Sequence, residues 1–293
     1  MSTHLRLPEE FSHNTIQLTD LNVHYVREGS GPPLILWHGW PGFWWDFRYI
    51  IGPLSERFDV IVPDFRGSGD TEKTDLNDVS KYSMDQLAED QAAFLDALGI
   101  AQCYFIAHDW GSMVAHKLIR RHREKLIKGI IFDPVTPFFE VTEGTYTQED
   151  WYALFNQLDV AFDLISLNRE SRRIYYSHFL NTWSYRKPLL TDQELEIVID
   201  NYMKPGNVHG GLNYDRSTLA PDADPWSPVD FEVSDIPVTI LWAEHDPSVP
   251  ISASSHLPKL YSNYTLEALS DSGHHIAVEK PELVVQRALE AFV

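Results

Sequence analysis

The sequence predicts an α/β protein: a mostly parallel sheet flanked by helices, with a helical cap inserted between two parts of the core. Three observations predict it. Short apolar runs alternate with helical patterns over the first half of the chain. The alternation breaks after Pro137 and gives way to helix-like stretches. It then resumes near residue 237. In order, 15–18 and 22–26 read as two tightly connected strands, and the turn Gly29-Ser30-Gly31-Pro32-Pro33 leads into a buried strand at 34–37. Apolar runs at 58–62, 104–107 and 127–132 add three more strands. Helical periodicity fills 84–98 and 112–123, and Gly99 is the stop signal of the first. Helical stretches at 151–167, 170–183 and 192–202 form the expected cap. Strands at 237–242 and Tyr264–Leu269 follow, and the helix Pro281–Phe292, whose proline suits a first turn, closes the chain. The expected domains are a core over 1–137 and 223–293 and a cap over 138–222.

With 293 residues, 43% of them hydrophobic and 23% charged, the chain can bury a sizeable core. The formal charge of −20 should repel nucleic acid and anionic membranes, and it disfavours an anionic substrate. The single cysteine, Cys103, lies in an apolar run, which fits a reducing compartment. The first 13 residues lack the apolar stretch of a signal peptide, and no window reaches the roughly 18 apolar residues of a membrane span. A cytoplasmic protein is expected, monomeric or a homodimer, whose partner is a small molecule and neither nucleic acid nor membrane.

The chemistry centres on Ala107-His108-Asp109-Trp110-Gly111-Ser112, between an apolar strand and a helical pattern. Small residues there allow the sharp turn that exposes a nucleophile. The central residue is Asp109, and a carboxylate attacks saturated carbon to make an alkyl ester that water must then cleave. Taken alone, Asp109 could simply cap the following helix. Two companions argue otherwise. His38-Gly39-Trp40-Pro41-Gly42 follows a strand, where Trp40 would donate one oxyanion-hole N–H and Trp110 the other. Gly273-His274-His275 supplies the base, with His274 favoured because Gly273 precedes it and His275 as the alternative. Two aspartates compete to orient that imidazole: Asp246, just past one strand, and Asp133, just past another, with Asp246 favoured. There is no His-Glu-x-x-His and no cysteine pair, so neither a metal nor a cofactor is expected.

These segments, together with Asp64-Phe65-Arg66-Gly67-Ser68-Gly69-Asp70 and Glu279-Lys280-Pro281, resemble the epoxide hydrolase and haloalkane dehalogenase branch of the α/β-hydrolases. The resemblance implies the α/β-hydrolase fold, with nucleophile, acid and histidine in that chain order. It leaves the acid at either aspartate, since one dehalogenase subfamily carries it at the Asp133 position and ordinary epoxide hydrolases at the Asp246 position. Trp40 stands where haloalkane dehalogenases commonly have Asn. Trp110 and Met113 stand where fluoroacetate dehalogenases hold a carboxylate with Arg.

The cap of this family protonates the leaving oxygen, usually with two phenols or with a His and a Tyr. Asp150-Trp151-Tyr152 resembles the first donor segment, with Tyr152 in the donor slot. His209 to Arg216 resembles the second, but Asp215 occupies the position of the second donor tyrosine. Three readings follow. Tyr152 acts alone or with Tyr214 turned inward, Asp215 is protonated and donates, or the leaving group needs no proton. A surface pairing of Asp215 with Arg216 is the bland alternative. The expected catalytic set is therefore Asp109, His274, Asp246 or Asp133, and Tyr152, with Trp151, Tyr214, Asp215 and His38 at the substrate. The expected activity is hydrolysis of a small organic epoxide to a vicinal diol. Haloalkane or haloacid dehalogenation with the same nucleophile is the alternative, with a catalytically silent ligand-binding member behind both.

Overall fold

The structure, a computed structural model, describes residues 5–135, 137, 151–218 and 225–293. Eight strands form one sheet: β1 (His13–Gln17), β2 (Asn22–Gly29), β3 (Pro33–Trp37), β4 (Asp59–Pro63), β5 (Cys103–His108), β6 (Leu126–Phe132), β7 (Val238–Ala243) and β8 (Tyr264–Leu269). Their spatial order is β1-β2-β4-β3-β5-β6-β7-β8. β1 pairs antiparallel with β2, and β2 with β4; every other pairing is parallel. β4 is buried along its whole length and β5 along nearly all of it, as a parallel sheet covered on both faces requires, whereas β1 at one edge has no buried residue.

The core helices are α1 (Arg48–Ser55), α2 (Met84–Ala97) and α3 (Trp110–Arg121), with the short α9 (Ile276–Glu279) and α10 (Pro281–Phe292) at the end of the chain. α1 packs against α10 and α2 against α3, so the helices cover the sheet in pairs. Gly99 stops α2 with a left-handed φ of 71°. α1 was not expected, because Gly52 and Pro53 both argue against a helix. It forms because Ile50, Ile51 and Leu54 are fully buried on one face.

Between β6 and β7 lies a helical region: α4 (Trp151–Phe155), α5 (Asp159–Ser166), α6 (Arg169–Thr182), α7 (Asp192–Met203) and α8 (Asn207–Thr218). The expected boundaries of the cap at 138 and 222 fall outside the described residues. The single helix expected at 151–167 is two helices, since the chain turns at 156–158 and the Asn156 side chain is drawn into the interior. α8 was not foreseen at all, because Gly210 and Gly211 stand in its middle.

The cap is tied to the core at several points. Arg48 in α1 meets Glu194 in α7 at 2.7 Å, both buried. The Tyr202 hydroxyl donates to the Pro41 carbonyl at 2.9 Å, and an Asn207 N–H to the Gly69 carbonyl at 3.0 Å. Among the described residues no helix is long and apolar enough to cross a membrane. Cys103 is a free, buried thiol.

Candidate active site

β5 ends at His108 and α3 begins at Trp110, leaving Asp109 alone in the turn with φ 53° and ψ −121°. A non-glycine residue with positive φ is uncommon and carries strain. The strain holds because the loop after β3 closes over the turn. A Cβ added at Gly39 would lie 2.3 Å from the Asp109 Cβ, so only glycine permits that approach. The Ser112 hydroxyl donates to the Asp109 carbonyl at 2.6 Å and braces the turn from the helix side. The next residue along the loop, Trp40, donates its backbone N–H to Asp109 Oδ1 at 2.7 Å. Trp110 opens α3, where backbone N–H groups have no partner within the helix.

His274 is fully buried between two carboxylates. Its Nδ1–H donates to Asp246 Oδ2 at 2.8 Å, and its Nε2 lies 3.6 Å from Asp109 Oδ2. Asp246 is itself held, as its Oδ1 accepts the backbone N–H groups of Ser248 at 2.8 Å and Val249 at 3.1 Å. Burial works against charge on the imidazole, but the flanking Asp246 and Asp109 outweigh it and raise its pKa well above the usual value. Burial likewise opposes charge on Asp109, yet the neighbouring His274, with the Trp40 N–H, keeps its pKa below the usual carboxylate range. Both shifts favour a carboxylate facing an imidazolium.

Asp133 lies in the same cluster; oxygens of Asp133 and Asp246 and a ring nitrogen of His274 are all within 4.8 Å of one another. Its hydrogen bonding differs from that of Asp246. Asp133 Oδ1 accepts the Ala243 N–H at 2.7 Å, and Oδ2 is buried with no partner among the described residues. Burial first, and the neighbouring Asp246 second, push its pKa well above the ordinary value, which favours the neutral acid. The imidazole is thus oriented by Asp246, and Asp133 ties the end of β6 to the end of β7.

Two of the residues expected at the substrate, His38 and Tyr214, have their polar atoms taken by backbone, and a third, Trp151, is partly exposed. His38 is fully buried, with Nδ1–H donating to the Gly39 carbonyl at 2.8 Å and Nε2 accepting the Phe65 N–H at 3.2 Å. Both ring nitrogens are taken by backbone, and His38 braces the loop. Tyr214 donates its hydroxyl to the Arg66 carbonyl at 2.6 Å, and its ring lies against Trp110 at 5.1 Å. It is anchored to the core instead of being turned inward. Trp151 is 39% exposed at the start of α4 and stacks on Phe179 at 5.9 Å. Tyr152, in contrast, stacks on the Trp40 indole at 5.5 Å and lies 5.2 Å from the Trp183 ring. Asp215 is 3% exposed and accepts Asn156 Nδ2–H at 2.6 Å, while the Arg216 guanidinium donates to the carbonyls of Asn156 and Leu158. A surface pairing of Asp215 with Arg216 does not exist.

Sequence reasoning missed three residues here. Trp183 packs its ring 5.0 Å from His274, and its indole N–H, like that of Trp40, is buried without a partner among the described residues. Asn156 donates to Asp215, and Tyr175 donates to Asn156. All three lie outside the cap segments that resemble the donor motifs; the aromatic richness of 175–183 is a signal for Tyr175 and Trp183, and nothing in the sequence marks Asn156.

A strained carboxylate with one oxygen on a backbone donor, facing an imidazole oriented by a second carboxylate, can form and then hydrolyse an ester. The comparisons agree with such chemistry. The alpha/beta hydrolase fold model matches residues 32–281. A soluble epoxide hydrolase from Corynebacterium sp. (strain C12) is 27% identical over 291 residues, covering 97% of this chain and 98% of its own. Epoxide hydrolase 4 of Homo sapiens is 28% identical over 291 residues, covering 94% and 78%. The solved structure of epoxide hydrolase CorEH without ligand superimposes with a TM-score of 0.85 at 26% identity, covering 96% of this chain and 98% of its own. With 250 of its residues matched by one family model, this chain belongs to the α/β-hydrolase fold family.

Proposed function

We propose that the protein is an epoxide hydrolase that converts a small, partly apolar epoxide to a vicinal diol through an ester on Asp109. The observation that carries this reading is the buried His274 between Asp246 at 2.8 Å and Asp109 at 3.6 Å. An aspartate in that position makes alkyl esters, and the histidine is poised to cleave them. The relatives named epoxide hydrolase support the choice of electrophile.

In the first step Asp109 Oδ2 attacks a ring carbon, the carbon–oxygen bond breaks, and Tyr152 protonates or hydrogen-bonds the leaving oxygen. The second step follows from the first. Ester formation removes the charge of Asp109, one of the two carboxylates that raise the His274 pKa. The imidazolium then releases its proton more readily and becomes a base, while Asp246 keeps the ring oriented. His274 takes a proton from water, and the hydroxide attacks the ester carbonyl. The charge that develops on Oδ1 meets the Trp40 N–H, already 2.7 Å away, and the Trp110 N–H. Collapse then breaks the bond from the carboxyl carbon to Oδ2, which leaves with the substrate as the second hydroxyl of the diol and takes the proton from His274. The route needs neither a metal nor a cofactor.

The test offers racemic styrene oxide and a panel of haloalkanes, following diol and free halide. Diol is expected, and the His274→Gln variant is expected to trap the substrate adduct on Asp109 in its intact mass. Halide release without diol would transfer the reading to a dehalogenase, for which the unpartnered indole N–H groups of Trp40 and Trp183 are the relevant donors.

A further inference from the structure

Glycine costs about 1 kcal/mol relative to alanine inside a helix, and α8 carries two in succession. Close packing accounts for both. A Cβ on Gly210 would sit 2.3 Å from the Gly67 carbonyl oxygen, and one on Gly211 would sit 2.8 Å from Trp40 Nε1. The face of α8 that bears Gly211 is therefore pressed against the indole of the oxyanion-hole residue. Asp215 follows Gly211 by four residues, one turn further along the same face.

The surroundings of Asp215 fix which of its oxygens can act. Its Oδ2 accepts Asn156 Nδ2–H at 2.6 Å, and Asn156 Oδ1 in turn accepts the Tyr175 hydroxyl. Asn156 is completely buried and Tyr175 nearly so, which locks the amide in that orientation. Oδ1 of Asp215 has no hydrogen-bond partner among the described residues. A buried carboxylate served by one neutral donor is costly, whereas a buried carboxylic acid is not. The charged and titratable groups around it reinforce this. Asp109 on the elbow disfavours a second negative charge, and Tyr175 on α6 is neutral. Arg216 on α8 itself favours ionisation, but its guanidinium is spent on backbone carbonyls. Burial dominates, and the carboxyl is pushed up to about 7.

We propose that Asp215 is a general acid of this enzyme, donating the proton on Oδ1 to the oxygen released when Asp109 opens the epoxide ring, alongside Tyr152. The assignment rests on the epoxide reading above. As the Asp109–carbon bond forms, the ring carbon–oxygen pair goes to oxygen. That oxygen takes the proton from Asp215, leaving a carboxylate held by Asn156. Water later cleaves the ester, and the carboxylic acid of Asp109 so formed loses a proton to solvent, which restores Asp215. Asn156 is a positioning residue that tunes the acid.

Rapid-quench intact-mass measurement of ester formation from styrene oxide, in protein that retains His274, tests this across pH 5 to 9. Ester formation is expected to fall as pH rises through about 7, where Asp215 ionises. Asp215→Asn should be slowed roughly 100-fold at pH 6 and lose that fall. Asp215→Tyr, with a phenol that ionises near pH 10, should keep forming ester at pH 9. If the larger ring fails to fold, Asn156→Leu serves. Removing the donor to the carboxylate should move the fall to higher pH, which a merely structural change would not do. An Asp215→Asn profile matching that of the parent would overturn the assignment while leaving the epoxide reading intact. Absence of ester from the parent at every pH would overturn both.

Discussion

The core half of the site is assembled from the carboxyl ends of strands, and the cap half from helices that cross above them. The two halves behave differently. Asp109, Asp246 and the loop at Trp40 leave β5, β7 and β3, which are parallel, so the sheet holds them at one edge in fixed relation. Each of their side-chain contacts is backed by backbone: the Trp40 N–H on Asp109, and the Ser248 and Val249 N–H groups on Asp246. In the cap the corresponding groups are held by other side chains, as Asp215 is by Asn156 and Asn156 by Tyr175. In the proposed reaction the sheet edge carries the two ester steps, and the cap meets the leaving group.

The largest effects should come from the core. Asp109→Ala is expected to abolish ester formation and lower turnover by about 10⁴-fold or more, because no other carboxylate replaces the bond-forming atom. Residual turnover within about tenfold of the parent would break the comparison, since the nucleophile would then not lie on the elbow. Asp246→Asn should leave ester formation within a few-fold and slow its hydrolysis by roughly 10²–10⁴-fold. It should also move the rising limb of hydrolysis to lower pH. The Asp246 charge raises the His274 pKa, so losing it frees the base form at lower pH. Single-turnover rates across pH separate the two steps.

The same division explains what could be read from the chain. The elbow, the Trp40 loop and Gly273-His274 are local strings whose spacing and strand context carry the geometry, and the sheet around them followed from apolar runs. The choice between Asp133 and Asp246 was not local. Both follow strands, and only the three-dimensional approach of His274 separates them. α8 escaped notice for a physical reason. Gly210 and Gly211 lower helix propensity, but they are there to let the helix touch Gly67 and Trp40. His38 and Tyr214 show the reverse. Their chemistry suits a site, yet backbone atoms consume their polar groups.

A smaller effect is expected at Tyr152, whose ring is stacked on Trp40. Tyr152→Phe should lower ester formation from an epoxide by roughly 10- to 100-fold, the low end for a general acid, because Asp215 remains. Hydrolysis of the ester once formed should change little. A loss confined to hydrolysis would move Tyr152 out of the leaving-group side and blur the line between the two halves.

The smallest effect on turnover is expected at Asp133, and its sign on stability is the sharper test. Asp133→Asn keeps an acceptor for the Ala243 N–H and removes no charge from the resting site, so turnover should stay within about threefold of the parent. In the folded parent burial and Asp246 keep the Asp133 proton on, whereas the unfolded chain sheds it above about pH 4. Stability that is complete below that pH is therefore lost as pH rises, by up to about 1.4 kcal/mol per unit, until the folded group ionises too. The amide of the variant does not titrate and escapes this loss. Urea unfolding should thus show the variant gaining on the parent between pH 4 and pH 7. A difference that stays constant with pH would mean that Asp133 is ionised in the folded protein. It would then share the charge that orients His274, and the triad would have two acids where the hydrogen bonds point to one.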